Sequence, residues 1–133
     1  MTSAISALCE LLVGGRPSPA QVVRAIGEVA ESDPARIVVV PDHEDLRRVQ
    51  IVRRPRHDEV DHLDVELSAA VSLETLEAEF GPARSIPPAP DAMVEQVAFT
   101  FDRSNRPRTC EVFVQIVDGA TERMQLRPDD RPI

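Results

Sequence analysis

The sequence predicts one α+β domain, in which a mainly antiparallel sheet of about six strands packs against three helices. Three short segments place apolar residues at helical spacing and carry recognisable capping residues. Six other segments are rich in β-branched residues or alternate apolar with polar residues, as strands do. Short polar turns join most of these strands, which favours antiparallel pairing. The chain of 133 residues is the size of one ordinary domain, 1–133.

Two helices are predicted at the N-terminal end of the chain. The first covers residues 3–13 and ends before paired glycines. The second begins at the N-cap Ser18, whose capping box is completed by Gln21, and we expect it to continue until residues 32–34. The buried face predicted for this second helix comprises Val22, Val23, Ile26 and Val29.

Three predicted strands follow these helices. Residues 36–40 form a short β-branched run between prolines, and we expect this strand to be buried on both faces. Residues 48–53 form the second strand, with Val49 and Ile51 facing the core. Residues 60–67 alternate, which predicts one apolar and one polar face. The apolar set is Leu63, Val65 and Leu67, and the polar set is His62, Asp64 and Glu66.

The central helix is predicted from the residues at both of its ends. Ser72 is a suitable N-cap, and Val71 and Leu76 occupy the positions of a hydrophobic staple. Gly81 suits the positive φ that ends a helix, and the proline after it prevents continuation. The apolar face comprises Leu73, Leu76 and Phe80. Residues 83–91 are rich in proline and are expected to form an extended, polyproline-like crossing.

Three more strands are predicted over residues 94–101, 109–117 and 121–127. The residues expected to face the core are Val97, Phe99, Phe101, Cys110, Val112, Val114, Ile116, Met124 and Leu126. Phe113 and Val117 lie on the opposite face of the middle strand, so this strand is apolar on both sides. We expect the helices to cover one side. The other side is expected to be covered either within a folded monomer that has helices on both sides or by a second subunit.

The predicted elements suggest an internal repetition. After the first helix, the order is one helix and three strands, and then one helix and three strands again. One hypothesis is therefore that the chain contains two sub-repeats, residues 18–67 and 71–127. The pattern does not decide whether the two blocks form one continuous sheet.

The second block has a helix that ends in Phe80-Gly81-Pro82, a proline-bearing link and three meandering strands. In these features residues 71–127 resemble the helix-plus-three-strand modules of the SmpA/OmlA outer-membrane lipoproteins and of the β-lactamase-inhibitor-protein-like domains. Those modules serve in protein binding or assembly and not in catalysis, so the resemblance implies a binding role. This chain departs from them in having no Tyr or Trp to act as exposed anchors.

Composition argues against several partners and compartments. Fifteen basic and 23 acidic residues give a net charge of −8, which argues against a nucleic-acid partner. No apolar run suits a membrane span and no secretory signal is recognisable, so we expect a cytoplasmic protein without membrane contact. Cys9 and Cys110 have no metal-binding or disulfide spacing, and we expect both thiols to be buried and reduced.

The residues most suggestive of a metal site are His57 and His62, with the carboxylates between them. Asp64 follows closely, and Asp42 and His43 lie in the turn before the neighbouring strand. Imidazole and carboxylate groups together bind Zn²⁺, Mn²⁺ or Fe²⁺. Residues five apart on a strand point to opposite faces, however, so the two histidines need a bend between them to converge. A solvated polar strand face explains the same residues without a metal.

A local group of arginines surrounds the second predicted strand. Its members are Arg47, Arg48, Arg53, Arg54 and Arg56. In one interpretation they bind a small anionic ligand or an acidic partner. In the other they form surface ion pairs with the acidic residues of 60–67, each of which contributes little to stability.

The sequence favours a small non-enzymatic binding domain. No nucleophile–base arrangement and no phosphate-binding glycine loop is recognisable. We therefore predict self-association, as in a homodimer, or docking on a protein partner, and assign no catalytic residue, cofactor or metal ligand. The alternatives are a metal-dependent enzyme that uses the His57–Asp64 region and a binder of small anions that uses the Arg47–Arg56 cluster.

Overall fold

The structure is a computed structural model that describes residues 3–15, 17–86, 95–103 and 105–130. Within these residues the chain forms three helices and eight strands. The helices are α1 (Ser3–Val13), α2 (Pro19–Ile26) and α3 (Leu73–Phe80). The strands are β1 (Gly27–Ser32), β2 (Arg36–Pro41), β3 (Leu46–Arg53), β4 (Val60–Ser72), β5 (Arg84–Ile86), β6 (Glu95–Phe101), β7 (Arg108–Ile116) and β8 (Ala120–Asp130).

All of these strands belong to one antiparallel sheet with the order β1-β2-β3-β4-β8-β7-β6-β5. The α+β class is confirmed, whereas the predicted number of about six strands is wrong. The two blocks form one continuous sheet, because β4 pairs with β8 at its centre. Both additional strands, β1 and β5, lie at the edges. Neither buries an apolar row, so neither leaves a strand pattern in the sequence.

The predicted second helix is too long, since α2 ends at Ile26 and β1 begins at the next residue. Gly27 lies so close to β2 that a Cβ atom there would be 2.1 Å from the Val40 carbonyl oxygen. The glycine therefore lets the chain pass directly from helix to strand and pair with Pro41. Val29, which the helical pattern placed in the buried face, is 50% exposed. Backbone pairing with β2, and not side-chain burial, determines this segment.

The extended crossing predicted for residues 83–91 is in part a strand. The pairs between β5 and β6 are Arg84 with Ala98, Ser85 with Val97 and Ile86 with Gln96. Residues 87–94 lie outside the described residues, and with them the predicted first residue of the strand 94–101.

Two other expectations about strands also need correction. Strand β2 is not buried on both faces, because Ile37 and Val39 are buried but Val40 is 58% exposed. The last strand, predicted over residues 121–127, is longer than expected, because β8 continues to Asp130 by pairing with β7. Pairing therefore extends β8 beyond the residues that alternation predicts.

One face of the sheet, called here the inner face, carries the core. Its cross-strand neighbours form continuous apolar rows. The two central rows are Val49, Val65, Met124, Val114 and Val97, and Ile51, Leu63, Leu126, Val112 and Phe99, all at most 4% exposed. Helix α1 packs on β7 and β8, α2 on β1 and β2, and α3 on β4 and β6. The inward residues predicted for the strands after residue 48 are therefore confirmed.

Helix α3 forms as its end residues predict. The Ser72 hydroxyl oxygen accepts a hydrogen bond from the Thr75 backbone N–H at 3.2 Å. At the other end, Gly81 has a φ of 90° and donates its N–H to the Glu77 carbonyl oxygen at 2.9 Å. A local hydrogen bond therefore caps each end of the helix, and packing holds its apolar face.

Aromatic contacts fix α3 and α1 against the C-terminal strands. The Phe80 ring centroid lies 5.8 Å from that of Phe99 and 6.2 Å from that of Phe101. The Arg103 guanidinium lies 4.6 Å from the Phe101 ring centroid, and its Nε donates to Glu10 of α1 at 2.7 Å. These contacts cover the inner face of the C-terminal strands with α3 and α1.

Candidate functional site

The opposite face of the sheet, called here the outer face, is predominantly polar, and every helix of the described chain packs on the inner face instead. Its side chains also form cross-strand rows. One row is Val38, Gln50, Asp64, Gln125, Phe113, Ala98 and Arg84. The next row contains Arg48, Glu66 and Arg123 on β3, β4 and β8, and Gln115, Gln96 and Ile86 on β7, β6 and β5. The half-buried Phe113 ring is therefore set among polar side chains.

A groove of about 480 Å³ crosses the outer face from β3 to β5. Its polar lining comprises Arg48, Gln50, Asp64, Glu66, Gln96, Gln115, Arg123 and Gln125. Phe113 and Ile86 contribute apolar surface. A volume of this size falls in the range of about 300–1,000 Å³ that is usual for ligand sites. The groove can therefore receive either a small molecule or several side chains of an extended peptide.

One side of the groove is held by a network of hydrogen bonds. Gln125 donates its Nε2–H to Asp64 Oδ1 at 3.3 Å, and its Oε1 accepts from Arg127 at 3.2 Å. Gln50 Oε1 accepts from Arg36 at 3.0 Å. These side chains are oriented by one another and form a fixed polar wall.

Other groove side chains are without such partners. Over the described residues, the Arg48 guanidinium and the Gln96 and Gln115 side-chain amides have no hydrogen bond or ion pair with the protein. Gln115 is exposed and the other two are half-buried, so water reaches all three. Each keeps its donors available for a ligand, and the glutamines keep an acceptor as well.

A β-bulge in β4 brings Asp61 and His62 together beside the groove. The register of β4 against β3 shifts at this point, which makes Asp61 the additional residue. His62 Nδ1 lies 2.7 Å from Asp61 Oδ2, and Arg127 donates to the same oxygen at 3.2 Å. On the other side of the ring, His62 Nε2 lies 3.6 Å from Asp64 Oδ2. The imidazole is thus held between two carboxylates, with its side chain 14% exposed.

The structure brings together only part of the predicted metal cluster. His62 and Asp64 are neighbours, but His57 lies in an exposed turn and its backbone N–H binds the Arg54 carbonyl oxygen. His43, next to Asp42 in the turn between β2 and β3, accepts from the Asp45 N–H through Nδ1 at 3.2 Å. In the part of the chain that is described, no three His, Cys, Asp or Glu side chains are arranged to hold a metal ion.

The five predicted arginines separate into two groups at opposite ends of β3. Arg47 lies at a bulge and its Nε is 3.5 Å from Glu66 Oε2, while Arg48 lines the groove. At the other end, Arg53 lies 3.9 Å from Asp58 and Arg54 lies 3.0 Å from Glu59. Arg56 occupies an exposed turn with a φ of 65°. Local ion pairing therefore explains Arg53 and Arg54, whereas Arg48 lines the groove.

Sequence reasoning missed the residue that completes the first group. Arg123 of β8 places its Nη2 3.8 Å from Glu66 Oε1. Arg47 and Arg123 thus lie within 4.0 Å of one carboxylate, whose cross-strand neighbour is Arg48, and we call these three arginines the Glu66 arginine cluster. No sequence signal joins Arg123 to β3, because only the antiparallel pairing of β4 with β8 brings them together. The groove glutamines were missed for the same reason.

The two cysteines lie side by side in the core. Cys9 of α1 and Cys110 of β7 are both fully buried, which confirms that their positions are internal. Burial raises the pKa of the Cys9 thiol, and its hydrogen bond with the Cys110 thiol adds to this effect. The Cys9 thiol is therefore protonated at neutral pH and a poor nucleophile.

A second cavity, of about 270 Å³, lies on the helix side of the sheet. Its apolar lining comprises Ile5, Leu67, Val71, Leu76 and Met124. The polar residues along it are Glu44, Asp45 and Ser68. This cavity has fewer polar side chains than the outer groove to orient a ligand, so the groove is the better candidate site.

The fold and the groove define the class of molecule: an α+β protein whose antiparallel sheet is covered by helices on one face and carries a polar groove on the other. No protein-family model, curated protein or solved structure matches the chain. The resemblance of residues 71–127 to helix-plus-three-strand modules stays a prediction. Among the helices of the described residues, none has both the length and the apolar character needed to cross a membrane.

Proposed function

We propose that this protein is a non-enzymatic binding module that holds an extended segment of a partner protein in the groove of its outer face. The observation that supports this most directly is Phe113, a half-buried ring among side-chain amides. An aromatic ring offers a large apolar contact, and amides around it can bind the polar groups of a peptide. Such a combination of one apolar anchor and adaptable polar contacts is typical of protein-recognition surfaces.

The shape of the groove also favours a chain over a compact ligand. It crosses six neighbouring strands, β3, β4, β8, β7, β6 and β5, and is shallow enough to leave Arg123 72% exposed. Active sites usually enclose their substrates and exclude water, which strengthens electrostatic effects on the reacting atoms. An exposed polar sheet face suits recognition better than catalysis.

A different protein is a better occupant than a second copy of this chain. The net charge of −8 opposes the close approach of two copies, although salt weakens this repulsion. A homodimer through the outer face is therefore the less favoured form of the same proposal. Photo-crosslinking distinguishes the two partners by the mass of the crosslinked protein.

Site-specific photo-crosslinking in the producing cells tests the proposal. The photoreactive residue p-benzoylphenylalanine replaces Phe113 in the groove and, in a control variant, replaces Glu77, which is exposed on α3. We expect a discrete adduct from position 113 and none from position 77. The partner is identified from the adduct by mass spectrometry and then purified and titrated with the chain. Equal labelling from both positions, or none from 113, contradicts the proposal.

A substitution at the same residue supplies the second test. Phe113→Glu adds a charge to a half-buried outer-face position, so we expect the fold to persist while the purified partner no longer binds. Circular dichroism measures the fold and titration calorimetry the binding. If the variant is unfolded, Phe113 is a core residue and the proposed anchor is wrong.

A further inference from the structure

We infer that the segment held in the groove carries an acidic side chain, whose carboxylate binds between Arg48 and Arg123. The inference rests on the proposed function and names the chemistry that the partner must supply. It also predicts where that acidic residue lies relative to the apolar residue that contacts Phe113.

Positive charge is locally in excess around Glu66. Two guanidinium groups lie close to the Glu66 carboxylate, with Arg47 Nε at 3.5 Å and Arg123 Nη2 at 3.8 Å from its oxygens. Arg48 is the direct cross-strand neighbour of Glu66. One carboxylate cannot neutralise three guanidinium groups, so this part of an otherwise acidic protein attracts a second carboxylate.

Two of these arginines have N–H donors available for a ligand. Arg48 makes no hydrogen bond or ion pair with any described residue of the protein. The separation of 3.8 Å between Arg123 and Glu66 is too long for a hydrogen bond, so it leaves the guanidinium free to turn toward a ligand. A planar guanidinium binds a carboxylate through two parallel N–H donors, which makes this the natural ligand for the pair.

The other carboxylate of the groove does not cancel this attraction. Asp64 accepts from Gln125 Nε2 at 3.3 Å and lies 3.6 Å from His62 Nε2. It belongs to the neighbouring cross-strand row, with Gln125 and Phe113, rather than to the row of Arg48 and Arg123. Its backbone position is therefore about 6.5–7 Å along β4 from that of Glu66, in the row next to the arginines.

The positions of Arg123 and Phe113 set the spacing in the ligand. Phe113 faces Gln125 directly, so Arg123 is its diagonal neighbour, at about 7–8 Å between backbone positions. In an extended peptide, residues two apart on the same face are about 6.5–7 Å apart. A peptide with an acidic residue two positions from an apolar residue therefore reaches both anchors.

Selection from a displayed library of random octapeptides tests the inference with the whole chain as the target. We expect the selected peptides to share Asp or Glu two positions from an apolar residue. In one synthetic peptide from the selection, replacing the acidic residue with Gln should weaken binding at least about tenfold, as measured by fluorescence anisotropy. Binding should also weaken when salt rises from about 50 mM to about 500 mM.

Variants of the protein make the test specific to these arginines. In the double variant Arg48→Gln and Arg123→Gln, both peptides should bind with the same weakened affinity. The charge-reversed variant Arg48→Glu and Arg123→Glu should select Arg or Lys at the acidic position, an outcome that loss of structure cannot produce. Arg56→Gln, in an exposed turn away from the groove, is the matched control and should bind as the wild type does. Circular dichroism shows whether each variant is folded.

The outcomes separate this inference from the proposed function. If selected peptides need Phe113 but show no acidic preference, and the double Gln variant binds them equally well, the acidic anchor is wrong and the groove function stands. If no peptide binds in a way that depends on Phe113, both are wrong. An acidic preference that survives in the double Gln variant also overturns the inference, because other groups then bind the carboxylate.

Discussion

The two halves of the sheet have the same strand order from centre to edge, but their outer strands are held in different ways. In the N-terminal half, β1–β4, the strand next to the exposed edge strand β1 is β2, which buries Ile37 and Val39. In the C-terminal half, β5–β8, the strand next to the edge buries Val97, Phe99 and Phe101 beneath α3. How firmly an edge of the sheet is held therefore depends on packing and not on strand order. We expect the N-terminal edge to open more readily.

The largest expected effect comes from the aromatic core of the C-terminal half. Phe99 is fully buried and contacts Phe80, so Phe99→Ala should lower the free energy of unfolding by about 3–5 kcal/mol. Val29 of β1 is 50% exposed, and Val29→Ala should change it by less than about 0.5 kcal/mol. Urea unfolding of both variants measures the difference. Similar losses in the two variants would show that β1 is packed as firmly as β6.

A smaller effect is expected where β1 is held by backbone proximity alone. A Cβ atom at Gly27 would lie 2.1 Å from the Val40 carbonyl oxygen, so Gly27→Ala must move β1 away from β2. We expect a loss of about 1–3 kcal/mol in urea unfolding and faster amide exchange in β1, with β6 unchanged. Gly14→Ala is the control, because the nearest atom to its Cβ would be 3.8 Å away. Equal protection of β1 in wild type and variant would contradict this account.

The two core thiols provide a further test of how firmly the C-terminal half is packed. Burial raises the pKa of Cys9, so the folded chain holds a proton that the unfolded chain releases above about pH 8.5. Stability should therefore fall as the pH rises through this range, by at most about 1.4 kcal/mol per pH unit. Urea unfolding between about pH 7 and pH 10 should show a smaller slope in Cys9→Ala. Rapid reaction of both native thiols with a thiol reagent would mean that this half opens easily.

The same comparison explains how much the sequence could predict. The strands that bury an apolar row, such as 109–117 and 121–127, were predicted close to their bounds, because alternation directly reports burial. β1 leaves no such pattern and was predicted as a helix. The groove was the least predictable feature. It depends on the pairing of β4 with β8, which brings Arg123 beside Glu66, and on bulges that turn Arg47 and Asp61 to the outer side.

The smallest expected effect lies in the turn between β1 and β2, where Asp33 closes the N-terminal edge. Asp33 Oδ1 accepts from the backbone N–H groups of Ala35 at 2.7 Å and Arg36 at 2.9 Å. These bonds, that of Arg36 first, hold the pKa of Asp33 below its usual value. The ionised carboxylate therefore stabilises the folded chain above the usual aspartate pKa of about 3.9, and this contribution is lost as the pH falls through the lower, folded value.

Two substitutions separate the charge of Asp33 from its hydrogen bonds. Asp33→Asn keeps an acceptor oxygen but does not titrate, so its stability relative to wild type should be slightly lower at neutral pH and equal in acid. Asp33→Ala removes the acceptor too, and should speed amide exchange at Ala35 and Arg36 while leaving β6 unaffected. Because Asp33 is fully exposed, solvent screens its charge and the effect on global unfolding is small. A large loss of global stability in either variant would show that this turn, and not the packing of β6, holds the sheet together.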